Sequence, residues 1–412
     1  MADFGFPYGT GGSSRAFSYA RGLQSAGARV KVLCVEPAGR AGDTLNVAAR
    51  GEYRGVPFAY TYGRTTRPSS RLQRRALKLA KWPRFAWAVR RWAAQSGGLD
   101  VLLVYSRSLP WIATAWLLCR LHGATLLHED CELPFVWRTE TPALRARRFL
   151  YHRVAFRAFD GCLVISTYLE EYCRRYLGRP ATLLVPILVD VTDVAGDDDP
   201  LGEPGEWLTY CGHMNHPEMG AVVAAFAAVA GEFPALRLRL VGGSRTAEAV
   251  PALRARLVEL GLDQRVEFAG RVEREELFRL LRDSRIVMMP RAAGPFSRAG
   301  LPTKVAEYLA TARPVVVSAV GDLPLYLTDG VDAYLAGSDD PQVFGRRLRE
   351  ALLHPDEAAE IGRRGRETAR RRFDPAVHGR RILEFAAGLP RSRTAGGGPA
   401  GPPAGAPRGD AP

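Results

Sequence analysis

The chain has 412 residues, 47% hydrophobic and 24% charged, which excludes a disordered protein and exceeds what one core usually holds, so two folded units are expected. Lys and Arg outnumber Asp and Glu by 57 to 43, and the net charge of +14 calls for an anionic partner without naming it. No apolar run reaches the ~20 residues of a membrane span, Met1–Phe6 does not read as a signal peptide, and six scattered cysteines without a Cys-x-x-Cys pair exclude a disulfide framework and a zinc site; the expectation is a cytoplasmic protein.

The chain opens on a stub of strand, Met1-Ala2-Asp3-Phe4, before a Gly-rich turn (Gly9-Thr10-Gly11-Gly12-Ser13-Ser14) and a helical stretch, Ser13–Ala26. A doubly wound unit ordinarily begins with a full strand. Either this sheet has a short first strand or the polypeptide starts upstream of Met1, and we favour the second. Arg29–Glu36, Asp100–Tyr105, Ala124–His128, Asp160–Ser166 and Ala181–Val185 are short apolar runs separated by segments of helical spacing such as Trp111–Leu121. Continuously apolar strands of this kind belong to a parallel sheet covered on both faces. Residues 1–190 are read as the first unit, and 191–206, rich in Asp, Gly and Pro, as a linker. Alternation resumes at Trp207–Cys211, Leu236–Val241, Arg265–Ala269, Arg285–Pro290, Pro314–Ser318 and Ala333–Leu335, which defines a second unit over 207–375. Residues 376–390 read as a closing helix and 391–412 as a disordered tail. The fold class is α/β, two Rossmann-like units with parallel sheets facing across a cleft, with ligands expected at the carboxyl ends of the strands.

Between Tyr53 and Leu99 there is no acidic residue, while Arg64, Arg67, Arg71, Arg74, Arg75, Lys78, Lys81, Arg84, Arg90 and Arg91 fall there, interleaved with Trp82, Phe85, Trp87 and Trp92. Pro83 suits the first turn of a helix, and Phe85, Val89 and Trp92 then share a face. Residues 64–92 suggest a basic helix lying on an anionic membrane. Two other readings stand beside it: the buried face of a core helix with an ordinary basic exterior, and a nucleic-acid groove. No recognised binding motif organises the charge for nucleic acid, so that partner is not expected. Arg145, Arg147, Arg148, Arg153 and Arg157 extend the basic surface.

The turn at Gly9–Ser14 opens a helix, which lets backbone approach a phosphate and offers a helix N-terminus to an anion; tight packing is the plainer reading. His128-Glu129-Asp130-Cys131-Glu132-Leu133-Pro134-Phe135 follows a strand, but its spacing matches no metal motif. His128 and Glu132 are either cleft groups or buried strand-end residues with satisfied hydrogen bonds. Asp197-Asp198-Asp199 lies in the linker and reads as a solvated acidic turn. The most informative stretch is PFSRAGLPTKVAEYLATARP, Pro295–Pro314. A helix begins at Pro302-Thr303 and ends near Arg313, with Lys304 in its first turn and Glu307 on the same face. Lys304, Arg298 and the helix N-terminus suit a diphosphate, and Glu307 suits ribose hydroxyls; an ordinary surface Lys–Glu pair is the alternative. The chain contains only Lys31, Lys78, Lys81 and Lys304 and otherwise uses Arg, so a lone lysine in the second half points to a site that wants a compact ammonium.

This block resembles the donor-binding motif of glycosyltransferase family 4, the retaining enzymes of the two-Rossmann GT-B fold. The branch in question reads Phe-Pro-Ser/Thr-Lys, then Glu-Tyr-Leu-Ala, then Pro-Val; here stand Leu301-Pro302-Thr303-Lys304, Glu307-Tyr308-Leu309-Ala310 and Arg313-Pro314-Val315. The likeness runs in order over most of Met1–Ala387, through the Gly-rich opening, Cys211-Gly212, Val241-Gly242-Gly243 and Phe268-Ala269-Gly270-Arg271. It implies transfer of a sugar from a nucleoside diphosphate sugar to a hydroxyl of a sugar or lipid-linked acceptor, in cell-surface polysaccharide or glycolipid synthesis, with no metal cofactor. It implies donor binding by Gly11, Gly12, Gly212, His213, Gly242, Arg271, Arg298, Thr303, Lys304 and Glu307. His128 or Glu132 would orient the acceptor hydroxyl or take its proton. A peripheral position on the inner face of the plasma membrane, through residues 64–92, agrees with a lipid-linked acceptor. Two departures stand out: the first Glu of the family motif falls on Ala299, and the Arg and Lys that follow the first strand of the second unit are absent from Gly212–Glu218, where His213 takes the Arg position. Those departures keep two rivals open, a nucleotide-sugar epimerase of the same architecture and a lapsed transferase serving as a binding subunit.

Overall fold

In the computed structural model the first unit is built from strands β1 (Val32–Cys34), β2 (Arg50–Tyr53), β3 (Val56–Tyr60), β4 (Val101–Val104), β5 (Thr125–Asp130), β6 (Gly161–Val164) and β7 (Thr182–Leu184), with helices α1 (Gly11–Ser25), α2 (Arg71–Ser96), α3 (Leu109–His122), α4 (Pro142–Arg153) and α5 (Thr167–Leu177). The structure describes all residues except 10, 40–43, 133–140, 178–180, 195–200, 215–217, 245, 247, 338–339 and 391–412. The expected acidic turn at Asp197–Asp199 and the expected tail therefore lie outside the described residues.

Two sheets, ordered β2-β3-β1 and β4-β5-β6-β7, meet at the amino end of the chain. Ala2 pairs in parallel with both Cys34 and Tyr105. Its N–H donates to Leu33 O (2.9 Å), its carbonyl accepts from Val35 N (2.8 Å), and Met1 O accepts from Tyr105 N (2.9 Å). Met1–Ala2 thus occupies the central strand position and joins the two sheets. The Met1 amino group donates to Leu103 O at 2.7 Å, and its burial pulls it down to about 6. Beside it a cavity of about 420 Å³ runs between the leading ends of β1 and β4, lined in part by Tyr19, Leu23, Trp92 and Ile382. The hairpin β2–β3 is an element that the alternation of apolar runs did not announce. Its turn residues Arg54 and Gly55 both have positive φ (47° and 84°), as the two-residue turns that follow strand twist require.

The second unit is a six-stranded parallel sheet of β8 (Trp207–Cys211), β9 (Arg237–Val241), β10 (Val266–Gly270), β11 (Ile286–Met289), β12 (Val315–Ser318) and β13 (Tyr334–Ala336), in the order β10-β9-β8-β11-β12-β13. Its helices are α6 (Met219–Ala230), α7 (Ala249–Glu259), α8 (Arg274–Arg282), α9 (Pro295–Ala299), α10 (Thr303–Ala310), α11 (Leu323–Tyr326), α12 (Pro341–Leu353) and α13 (Pro355–Arg372). Strands β8, β11 and β12 are buried almost throughout, as apolar runs covered on both faces must be.

The last helix, α14 (Pro375–Gly388), crosses back onto the first unit. A Cβ on Gly22 of α1 would sit 2.0 Å from Pro375 O, and one on Gly379 would sit 2.0 Å from Gly22 O. The two helices therefore touch backbone to backbone, and Ile382 and Ala386 complete a cluster with Tyr19, Leu127, Leu163 and Val185. Two polar contacts fasten the units near the cleft. Asp322, ahead of α11, accepts from Thr167 N (2.6 Å) and Thr167 Oγ1 (2.7 Å) at the start of α5, and Ser166 Oγ donates to Ala299 O (2.7 Å).

Candidate active site

Three strand ends of the second unit converge on glycines. Cys211 closes β8 and is followed by Gly212; Gly242 follows β9 with φ 138°, and its Cβ would lie 1.9 Å from Gly212 O. Gly242 N donates to Gly270 O at the end of β10 (2.7 Å). A side chain at Gly242 would strike Gly212 O, and one at Gly212 would meet Tyr210 Oη at 2.3 Å, so the Gly212 and Gly242 turns admit only glycine. Helix α10 is clamped onto the same point: Cys211 N donates to Tyr308 Oη (3.0 Å), and Tyr308 Oη donates to Cys211 O (3.2 Å). One turn earlier, Lys304 Nζ donates to Cys211 Sγ at 2.9 Å. Burial pushes the Cys211 thiol up, so it stays neutral beneath the ammonium. Burial also pulls on Lys304, yet its hydrogen bond to Cys211 and the nearby Glu307 carboxylate outweigh it and hold the ammonium above its ordinary value. Glu307, three residues on, accepts from Arg274 Nη1 at 2.9 Å at the head of α8, with the two side chains 14% and 25% exposed.

Across the cleft stands the Gly-rich turn. A Cβ on Gly11, the first residue of α1, would lie 3.6 Å from Thr303 Oγ1, the first residue of α10. The N-termini of two helices from different units therefore meet beside Lys304, and each of them favours an anion. Gly12 has a separate reason to be glycine: its Cβ would press on the Phe4 ring at 3.2 Å.

The remaining expected donor residues are less gathered. His213 and Arg271 are exposed on the loops that follow Gly212 and Gly270. Arg298 is exposed, with its guanidinium 5.8 Å from the Tyr168 ring on α5, so it reaches across to the first unit. Ala299, at the position of the absent Glu, is buried, and its carbonyl takes the Ser166 hydroxyl.

The acceptor-side reading of His128 is corrected. Its ring is fully buried, stacked on Phe159 at 4.4 Å, with Nδ1 3.1 Å from Val104 O and Nε2 3.0 Å from Tyr151 Oη. Desolvation drives it down to about 4, so the ring is a neutral core group without a path to the cleft. Glu132 is exposed past the end of β5, beyond Asp130, whose buried carboxylate meets Arg107 at 2.6 Å. Between them in sequence, Glu129 is sealed: Arg15 Nε donates to it at 2.5 Å, Tyr19 Oη at 2.7 Å, and the Arg15 guanidinium also holds Pro186 O and Val185 O. Among the described residues no group of three His, Cys, Asp or Glu is placed to hold a metal ion.

The basic run is also relocated. Helix α2 begins at Arg71, which puts Pro83 in its interior and not in a first turn. Phe85 and Val89 are buried against the core, with Phe85 edge-on to Trp111, so the face they share looks inward. Among the described residues no helix is long and apolar enough to cross a membrane.

Comparison with known proteins decides the family. Residues 205–354 match the glycosyl transferases group 1 family, and residues 10–188 match the glycosyl transferase 4-like domain. A D-inositol 3-phosphate glycosyltransferase of Corynebacterium efficiens is 30% identical over 299 residues, which cover 66% of this chain and 68% of that protein. The chain belongs to the group 1 glycosyltransferases. The corresponding Streptomyces coelicolor protein is 28% identical over 195 residues, and the match spans 37% of its length. Sucrose-phosphate synthase from Thermosynechococcus elongatus superposes with a TM-score of 0.66 at 23% identity, over 94% of this chain and 96% of that one. The Anabaena HepE protein, solved in complex with UDP, gives 0.66 at 17% identity over 94% and 98%. At such identities the likeness shows the fold, and the fold is GT-B.

Several residues of the candidate site escaped the sequence reading. Arg274 pairs with Glu307 from 33 positions away, a distance that no local pattern reveals. Cys211 was noticed only as a strand end, although it lies under Lys304. Asp322 had a usable signal: Gly321-Asp322 comes shortly after the apolar run that ends at Ser318, and in the structure a Cβ on Gly321 would meet Ser297 O at 2.1 Å. A glycine turn after a strand, followed by an acid, marks a place where a carboxylate can meet a helix start.

Proposed function

We propose that this glycosyltransferase moves a sugar from a nucleoside diphosphate sugar to a hydroxyl of a sugar or lipid-linked acceptor, with retention of anomeric configuration, in making a cell-surface polysaccharide or glycolipid. The observation that carries the reading is the meeting of the α1 and α10 N-termini at Gly11 and Thr303, beside Lys304. The diphosphate lies between those helix ends, with Lys304 as its compact cation. Glu307, oriented by Arg274, accepts hydrogen bonds from ribose hydroxyls. The bare backbone at Gly212 and Gly242 lets the nucleotide approach closely, and His213 and Arg271 border it. As the glycosidic bond to the diphosphate breaks, charge gathers on the leaving oxygens, where fixed dipoles and Lys304 stabilise it without a metal. Glu132 is the group on the acceptor side left to orient the hydroxyl. HepE, of the same fold, was solved with UDP and with UDP-glucose, which supports a nucleotide donor. A lipid-linked acceptor would be met at an anionic membrane.

The test is to incubate the protein with UDP-, GDP- and dTDP-sugars and sugar or lipid-linked acceptors, following product by mass spectrometry and its anomeric configuration by NMR. One donor consumed only when an acceptor is present, with the anomeric configuration kept, is the expected result. An inverted product overturns retention. Turnover of UDP-N-acetylglucosamine without acceptor indicates the epimerase, and no donor binding by folded protein indicates the lapsed transferase.

A further inference from the structure

The net charge of this protein is concentrated on one layer. Helix α2 carries eight Lys and Arg, α3 one and α4 four, and none of the three has an Asp or Glu. The whole chain has a net charge of +14, so everything outside these helices is close to neutral.

The topology puts the three helices side by side. Strands β4, β5 and β6 are adjacent and parallel, and α3 and α4 are the crossovers between them. Right-handed crossovers between neighbouring strands fall on the same face of a sheet. Helix α2 packs in the same layer, with Trp82 and Phe85 against Trp111 of α3 at ring distances of 6.2 and 5.6 Å. The inward sides are filled by Phe85, Trp111 and Tyr151.

The outward sides carry large apolar groups as well as these cations. Leu79 is 77% exposed and Trp87 61% on α2, Trp116 and Leu117 are exposed on α3, and Phe149 and Leu150 on α4. The aromatic groups have cations over them: Arg91 lies 5.2 Å from the Trp87 ring and Arg120 5.4 Å from the Trp116 ring. An uncharged protein partner would leave this density of cations uncompensated. Exposed indole and aliphatic groups set among arginines, with no acid on the layer, fit the boundary between lipid headgroups and acyl chains.

We infer that the outer face of α2, α3 and α4 docks this protein on an anionic phospholipid surface. The inference rests on the transferase reading only for its purpose, which is to bring the cleft to a lipid-linked acceptor. It moves the membrane contact from the inward aromatic face of α2, where residues 64–92 suggested it, to a surface that includes α3 and α4.

The test is flotation of the full chain with vesicles of phosphatidylcholine alone or with 30% (roughly one lipid in three) phosphatidylglycerol, at low and high salt. Two variants accompany it, Arg74→Gln/Arg75→Gln/Arg145→Gln/Arg147→Gln and Trp87→Ser/Phe149→Ser, all at exposed positions. We expect binding to anionic vesicles only. With roughly fivefold lost per cation, the quadruple variant should partition more than about 100-fold less. The aromatic double variant should bind about tenfold less even at low salt. Unchanged melting temperature and donor turnover show that the variants are folded. Absence of flotation by the parent protein at low salt overturns the inference, as does flotation that neither variant weakens, or a gel shift showing preference for RNA over anionic vesicles. Transfer to a water-soluble acceptor without flotation rejects this face alone, whereas flotation without transfer to any acceptor rejects the transferase reading alone.

Discussion

The ends of β5 and β8 look alike on paper and differ in what surrounds them. Each gathers a carboxylate and a cation from distant parts of the chain, Glu129 with Arg15 and Glu307 with Arg274. At β5 the pair is sealed, 0% and 2% exposed, and its hydrogen bonds go to Tyr19, Pro186 and Val185. At β8 the pair is open, 14% and 25% exposed, flanked by turns that admit no side chain and by two helix N-termini. A charge pair held by protein on every side is a structural joint. The same pair beside bare backbone has something left to bind.

Four results would break or sharpen that contrast. The largest concerns the sealed pair. Arg15→Met leaves Glu129 buried without its cation and should cost about 3–5 kcal/mol of unfolding free energy, measured by urea denaturation. Glu307→Gln, by contrast, should leave the denaturation midpoint nearly unchanged. A large loss at Glu307 and none at Arg15 would reverse the assignment.

Next is the pH dependence of His128, which is held down to about 4 by burial and reverts to its usual 6.5 on unfolding. The unfolded chain binds the extra proton between those values. The stability from keeping this ring neutral is therefore complete above about pH 6.5 and declines as pH falls toward 4, by up to roughly 3 kcal/mol. His128→Phe should flatten the fall in stability between pH 6.5 and 4.5, and an unaltered slope would count against a buried neutral ring. The variant should also keep transferase activity at neutral pH, which a catalytic His128 would not allow.

At the open site, Glu307→Gln should raise the donor KM or lower kcat/KM by about 30-fold, as loss of charge-assisted hydrogen bonds worth about 2 kcal/mol would do. The smallest effect is expected at the contact between units. Asp322→Asn weakens the two bonds from Thr167, which lie 2.6 and 2.7 Å away. It should favour the open cleft by about 1 kcal/mol, seen as a larger radius of gyration in X-ray scattering of the unliganded protein.

The sequence was most legible where a pattern is local. The apolar runs at Asp100–Tyr105, Ala124–His128 and Asp160–Ser166 are β4, β5 and β6 because strands inside a parallel sheet carry consecutive apolar residues into the core. Lys304 and Glu307 were readable because one helical turn sets their spacing. The β2–β3 hairpin was missed because Arg54-Gly55 is an uncommon way to write a two-residue turn. His128 kept two readings for a different reason: a strand end in a linear reading says nothing about whether a side chain meets the cleft or a second layer of aromatic rings. The same limit applies to Arg298 and to the aromatic stripe of α2, both of which carry the expected chemistry on a side fixed by tertiary packing.

The central claim is that a nucleoside diphosphate binds at the joined N-termini of α1 and α10 with Lys304 as its cation. Isothermal titration of the parent protein and Lys304→Met with UDP, GDP and dTDP tests it most directly. The account predicts saturable binding of one nucleotide by the parent protein, weakened roughly 30-fold or more in a variant that remains folded. Equal affinity in the two proteins would place the diphosphate elsewhere and contradict the account.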